Sequence, residues 1–227
     1  MLRLEGVTKR YGERLILRDI DFHAAAASLT YLAGANGAGK STLLRIMGGF
    51  TRPDQGRVIR NLPPGGIGYL GYETMLYPEL TALENLAFWG KTTGRRLPKN
   101  ALPTMLERME LAPFAHDAVG TFSRGMSQRL SLGRLLLGRP RLLLLDEPET
   151  GLDAASRALL LREVLHLRQE GAALVWVTHS PETWSLAGEI AGAVCVLLKG
   201  KRLSFTERPG ECGWLRTVCG EQAGGGR

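Results

Sequence analysis

No hydrophobic run in this sequence is long enough to cross a bilayer. The longest apolar stretches, Leu142–Leu145 and Ala193–Leu198, fall far short of the roughly 18 residues a spanning helix needs. The pattern of a secretory signal is also missing, because Arg3 and Glu5 interrupt the first apolar stretch. The expectation is a soluble protein, or one docked on something that is not. Cysteine is scarce: Cys195, Cys212 and Cys219 match no zinc spacing, and an odd count argues against a disulfide framework. A reducing compartment follows. Compositional bias is lacking too. With 44% hydrophobic and 22% charged residues the chain lies near the globular average, which excludes general disorder, collagen and coiled coil. Acid is in deficit, 22 acidic residues against 29 basic ones, for a net charge of +7. The bases are scattered, with Arg95, Arg96 and Lys99 the only tight cluster. That distribution reads as a solvated surface, at most near anionic lipid, and no nucleic-acid partner is expected. At 227 residues the chain is long for one domain and short for two, and it can bury a core without disulfides or metals.

The hydrophobic pattern predicts strands at Leu2–Thr8, Leu15–Phe22 and Ser28–Ala33, then a helix from Lys40 to Met47 stopped by Gly48 and Gly49. Arg52–Gly56 reads as a turn, Val58-Ile59 and Ile67–Leu70 as short strands, and the Pro- and Gly-rich Asn61–Gly66 as a loop. Helical spacing fills the middle, at Leu80–Trp89, Ala101–Met109 and Ser127–Leu137. Thr81 with Glu84 three residues on forms a candidate capping box. A basic connector occupies Gly90–Lys99. Beyond it, strands Leu142–Leu145, Ala173–Thr178 and Ala193–Leu198 alternate with helices Ala154–Gln169 and Pro181–Leu186. Uninterrupted apolar strands alternating with helices indicate a parallel sheet covered on both faces. The Gly-rich residues Gly220–Arg227 read as a disordered tail.

Two segments carry chemistry. Gly34, Ala35, Asn36, Gly37, Ala38, Gly39, Lys40 and Ser41 match the phosphate-binding P-loop, after a strand and opening a helix. Glycines let backbone N–H groups wrap phosphate oxygens, and the helix N-terminus adds partial positive charge. Lys40 would reach the terminal phosphates and Ser41 would ligate Mg²⁺, with Thr42 completing the nucleotide-binding set. The second segment, Leu142–Leu145 followed by Asp146 and Glu147, is a buried strand ending in two acids, costly unless they act at its exposed tip. Asp146 would hold Mg²⁺ and Glu147 would polarise an attacking water.

With these residues in place the chain, from Met1 to about Leu203, resembles the ATP-binding subunits of ABC transporters. Tyr11 matches the aromatic that stacks on adenine. Phe122–Arg129 matches the signature segment, Gly151–Asp153 the loop crossing the dimer interface, and His179 the switch histidine. The resemblance implies an α/β P-loop NTPase fold with a RecA-like core, a small N-terminal antiparallel β region and a helical subdomain at about 73–137, all in one ATP-binding domain over residues 1–219. It implies ATP and Mg²⁺ as ligands, Glu147 and His179 as catalytic residues, and a second ATPase subunit. Ser123 and Gly125 of one subunit would close on nucleotide held by the other, with Asp153 nearby. A homodimer is expected, peripheral on the cytoplasmic face of the inner membrane and powering separate transmembrane subunits.

The chain departs from the family pattern. In the signature, Phe122, Arg124 and Met126 replace the usual Leu, first Gly and Gln, while Ser123 and Gly125 remain. Two readings stay open: a functional signature with Arg124 adding charge toward the partner's nucleotide, and a catalytically weak one. No Gln lies between Gln55 and Gln128, so Glu73 takes the place of the family's Mg²⁺-touching Gln, and a carboxylate suits that metal. Within the family, Glu79–Leu86 and Phe122–Met126 are similar to the haem-exporter ATPases of cytochrome c maturation. The ATPase of a drug or lipid exporter, and a soluble ABC-type ATPase, are the alternatives.

Overall fold

The computed structural model of the chain describes residues 1–93, 96–178 and 193–206. Strands β1 (Leu2–Tyr11), β2 (Arg14–Ala24) and β4 (Gln55–Arg60) form an antiparallel sheet in the order β2-β1-β4. A second sheet has the order β5-β6-β7-β3-β8-β9, from β5 (Ile67–Leu70), β6 (Leu142–Asp146), β7 (Ala173–Val177), β3 (Leu29–Ala33), β8 (Ala193–Lys199) and β9 (Arg202–Thr206). Its first five strands are parallel and β9 pairs antiparallel with β8. The helices are α1 (Lys40–Gly48), α2 (Ala82–Thr92), α3 (Ala101–Arg108), α4 (Arg124–Leu137) and α5 (Ala154–Gln169).

Why the central strands read as continuous apolar runs is visible in the packing. Side chains alternate across a strand, so each central strand feeds two cores. Tyr31, Leu143, Leu145, Leu174 and Trp176 face α2–α5. Leu32, Leu142, Leu144, Val175 and Val177 face α1 and the antiparallel sheet. This is the α/β P-loop NTPase architecture expected from the sequence, with its N-terminal antiparallel region.

Several boundaries differ from expectation, each for a local reason. Helix α4 starts at Arg124 rather than near Ser127, because its first turn is polar and shows no apolar period. Its start is set by Ser123, whose hydroxyl oxygen accepts from the Met126 N–H at 3.3 Å. Helix α2 runs on through Thr92 into the segment read as connector, after the full capping box at Thr81 and Glu84. Strand β4 begins at Gln55, inside the expected turn. Strand β9 carried no signal of its own and exists by pairing with β8. The helix expected at Pro181–Leu186, His179, Cys212, Cys219 and the tail lie outside the described residues.

Candidate nucleotide-binding site

The site gathers at the C-terminal edge of the parallel sheet, where open α/β sheets bind ligands. The loop after β3 is held on both sides by close approach. A side chain at Gly34 would place its Cβ 2.7 Å from the Leu198 carbonyl of β8, and one at Gly39 would lie 2.8 Å from Ile16 of β2. Both glycines also have positive φ, 156° and 107°. Only glycine suits such positions. Between them Ala35, Asn36 and Gly37 are exposed, and Ala38 turns back, its N–H donating to the Ala35 carbonyl. Gly39 then caps α1, whose first turn presents N–H groups with no partner inside the helix. Ser41 is exposed on that turn and Thr42 half-buried.

Lys40 is 6% exposed, and its ammonium donates to the carbonyls of Gly34 at 2.9 Å and Ala35 at 3.2 Å. Burial lowers its pKa, while the charges of Glu147 and Asp146 oppose that shift. The lysine of the loop and the two acids of the strand tip therefore share one field, although β7 lies between β3 and β6. Asp146 accepts a hydrogen bond from the Tyr69 hydroxyl at 2.8 Å. Glu147 sits at a positive φ of 52°, a strained conformation of the kind concentrated at functional sites, and its N–H donates to the Val177 carbonyl. Tyr11 ends β1, half-exposed, with the Lys9 ammonium 5.4 Å from its ring centroid.

The signature region forms a second face. Ser123 is exposed; its oxygen caps α4, which leaves the hydroxyl proton to donate outward. Gly125 is buried beside Ser156 of α5. Asp153 caps α5 by accepting from the Ser156 N–H at 2.7 Å, and those hydrogen bonds hold its carboxyl below the usual range. Arg124 makes two contacts beyond its own helix. Its guanidinium lies 3.8 Å from the Tyr72 ring centroid and its Nε donates to the Thr150 carbonyl at 2.8 Å. It thus binds the loop after β5 to the loop after β6 within one chain. Glu73, next to Tyr72, is exposed.

Three contacts went unread in the sequence. Gln128 of α4 donates to the carbonyls of Gly71 and Pro148, tying the helix to both loops. Ser131 donates to the Thr74 carbonyl. Glu149 is buried and accepts from Trp176 Nε1 at 3.0 Å and from the Thr178 hydroxyl. The one available signal was Glu149 itself, a charge beside the acidic pair with no partner nearby in sequence.

Comparison with known proteins agrees with this geometry. Residues 17–150 match the model of the family described as ABC transporter. The chain is 36% identical over 197 residues to the linearmycin resistance ATP-binding protein LnrL of Bacillus subtilis, covering 80% of this chain and 62% of the relative. It is 35% identical to a Nod factor export ATP-binding protein I of a Rhizobium species, covering 88% and 69%. It is 38% identical to the cytochrome c biogenesis ATP-binding export protein CcmA of Gluconobacter oxydans, covering 80% and 82%. Among solved structures, an ATP-binding subunit of an ABC transporter superposes with a TM-score of 0.81 at 26% identity over 91% of this chain and 90% of that one. A dimeric ATP-binding cassette in a post-hydrolysis state, bound to ADP and Pi, superposes with 0.79 at 25% identity over 91% and 98%. No helix of the described residues is long and apolar enough to cross a membrane. A P-loop set against an acidic strand tip, a capped signature helix and a family match over more than half its length together place this chain in the ABC transporter family, whose ATP-binding ATPase cassette it carries.

Proposed function

We propose that this chain binds Mg·ATP between its P-loop and strand tip, dimerises around it, and hydrolyses it to power a separate membrane-spanning exporter. The observation that carries the reading is the buried Lys40, held on the loop's own carbonyls within the field of Asp146 and Glu147. Terminal phosphates offer that ammonium a better acceptor than two peptide carbonyls. The N–H groups of the loop and of α1 cradle the remaining oxygens, and Tyr11 offers its exposed ring to the adenine. Glu147 takes the proton from the attacking water, with His179 as its assigned catalytic companion. Ser123 donates its hydroxyl to the γ-phosphate held by the second subunit, beside Gly125 and Asp153, which makes both sites complete only in the dimer.

The donor set suits Mg²⁺, since Ser41, Asp146 and Glu73 supply hard oxygen ligands and Tyr69 occupies only one carboxylate oxygen of Asp146. Bound there, the ion would neutralise charge on the phosphates. For the cargo, CcmA supports haem export for cytochrome c biogenesis, together with the Phe122–Met126 segment. The relatives also include Nod factor and linearmycin proteins and a spermidine/putrescine importer of Nitrosomonas europaea, so export of haem is one cargo among the family's several. A homodimer, peripheral at the cytoplasmic face of the inner membrane, completes the reading.

Glu147→Gln tests it. The amide keeps the shape but cannot act as base, so ATP binding persists, turnover stops and ATP-bound dimers accumulate on size-exclusion chromatography. Hydrolysis at the wild-type rate in this variant would remove Glu147 from catalysis. Co-purification of the membrane subunits, followed by haem-dependent stimulation of hydrolysis in the assembled complex, tests the cargo.

A further inference from the structure

At the opposite edge of the parallel sheet, below the starts of β5 and β6, a cleft of about 440 Å³ opens between the core and the ends of α2 and α4. Pro63, Ile67, Leu135 and Pro140 give it apolar walls, and Trp89 and Arg134 form its polar end. Arg134 is only 7% exposed. It stacks on Trp89, with Cζ 4.5 Å from the ring centroid, and one terminal nitrogen reaches the Ser131 hydroxyl at a long 3.4 Å. Its Nε, and the indole Nε1 of Trp89, are buried with no hydrogen-bond partner. Among the described residues no carboxylate pairs with Arg134, and no acid lines the cleft.

That arrangement is unusual on physical grounds. Buried charges are paired as a rule, since the interior does not replace the hydration they lose. The position of Arg134 in the last turn of α4 places it near the negative end of the helix dipole, which offsets only part of that cost. Burial accordingly lowers its pKa to about 10. The cleft offers neutral acceptors only, such as the Thr92 and Thr93 hydroxyls, which donate their protons to the Trp89 and Gly90 carbonyls, and the second cation on its lining, Arg139, is exposed. What is lacking is one anionic acceptor. A bare inorganic ion would fill little of the space and leave the apolar walls wet.

We propose that this cleft binds a small organic acid, its carboxylate paired with the Arg134 guanidinium and its apolar body lying against Trp89 and the proline walls. A planar guanidinium matches a carboxylate with two parallel hydrogen bonds, and stacking on the indole fixes the plane in which they form. The site is remote from the P-loop, which follows β3 at the other end of the strands, so it stands whether or not the ATPase reading does.

The test is a ¹⁹F NMR titration of the full chain with 4-fluorobenzoate, against the neutral 4-fluorobenzamide and against inorganic phosphate as competitor. Saturable broadening of the benzoate signal is expected, about tenfold weaker in Arg134→Met, and absent for the amide. Arg134→Lys, which keeps the charge and loses the fork, should bind with intermediate strength. Without ligand, Arg134→Met should melt at or above the wild-type temperature, because replacing an unpaired buried charge by an apolar chain of similar length is neutral or stabilising. A markedly lower melting temperature for Arg134→Met would make Arg134 a structural residue and sink the proposal. So would equal binding of the amide, full displacement by phosphate at equal concentration, or no saturable binding.

Discussion

Two glycines of one loop offer a controlled comparison. At Gly37, φ is 76° and an added Cβ would meet nothing within 4 Å. Gly37→Ala therefore carries only the cost of a left-handed residue, about 1 kcal/mol. At Gly34 the same methyl would sit 2.7 Å from the Leu198 carbonyl, with Leu198 Cβ and Ala38 Cβ each 3.4 Å away. That carbonyl is backbone of a paired central strand and cannot swing aside. Its β8 neighbours in turn pair with β3, so any shift to make room travels into the strand that carries the loop. Adding the overlap to the backbone strain gives about 3 kcal/mol for Gly34→Ala. For a domain of this size each kcal/mol lowers the melting temperature by roughly 2–4 °C. Urea denaturation with unchanged slope should therefore separate the variants by about 2 kcal/mol. Nucleotide affinity should fall further for Gly34→Ala, since its carbonyl also holds Lys40. Equal destabilisation by the two substitutions would mean that the contact between Gly34 and Leu198 does not constrain the loop.

Three further expectations follow from the same geometry. Lys40→Ala removes the charge at the centre of the loop and should weaken ATP binding about a hundredfold in a fluorescent-nucleotide titration. Arg124→Ala frees the loop at Thr150 from Tyr72; amide exchange at Leu152, whose N–H donates to the Glu149 carbonyl, should speed up about fivefold, with the β6 amides unchanged. Burial raises the pKa of Glu149, so the folded state keeps its proton to higher pH than the unfolded chain does. Its contribution to stability is then full below the unfolded pKa and is lost as pH rises through the folded one. Glu149→Gln, which retains an acceptor for Trp176, should gain stability relative to wild type as pH rises above the ordinary carboxylate range in urea titrations.

The order of strands and helices was legible because burial on both faces leaves β3, β6 and β7 almost wholly apolar, with Thr30 and the terminal Asp146 as exceptions, and because α5 begins and ends at ordinary boundaries, Asp153 and Gln169. Thr81 and Glu84 announced α2 in the same way. The phosphate loop and the acidic pair were legible as local strings, each with a single fitting context. What escaped depends on distance in sequence. Tyr69 meets Asp146, and Trp176 meets Glu149, only because β5 and β7 flank β6. Arg124 was visible as a departure, but its stacking on Tyr72 requires α4 to begin where polar residues hide its period. The helical spacing of Ser127–Leu137 places Arg134 on a helix, and nothing in its neighbours along the chain shows that it is buried without a counter-charge.

The strand order also bears on how the protein is made. The antiparallel sheet closes on itself by Arg60, so it needs only the first quarter of the chain. Strand β3, which leads into the phosphate loop, is paired with β7 and β8, and those strands emerge from the ribosome about 140 and 160 residues later. At 5–20 residues per second that interval is on the order of ten seconds. Throughout it a strand whose five residues are all buried in the finished fold has two bare edges, a hazard for association with other nascent chains. The segment that carries the nucleotide loop is thus translated early and anchored late. A chain stopped before Ala193 would keep its phosphate loop in full yet hang it from a strand open on one side.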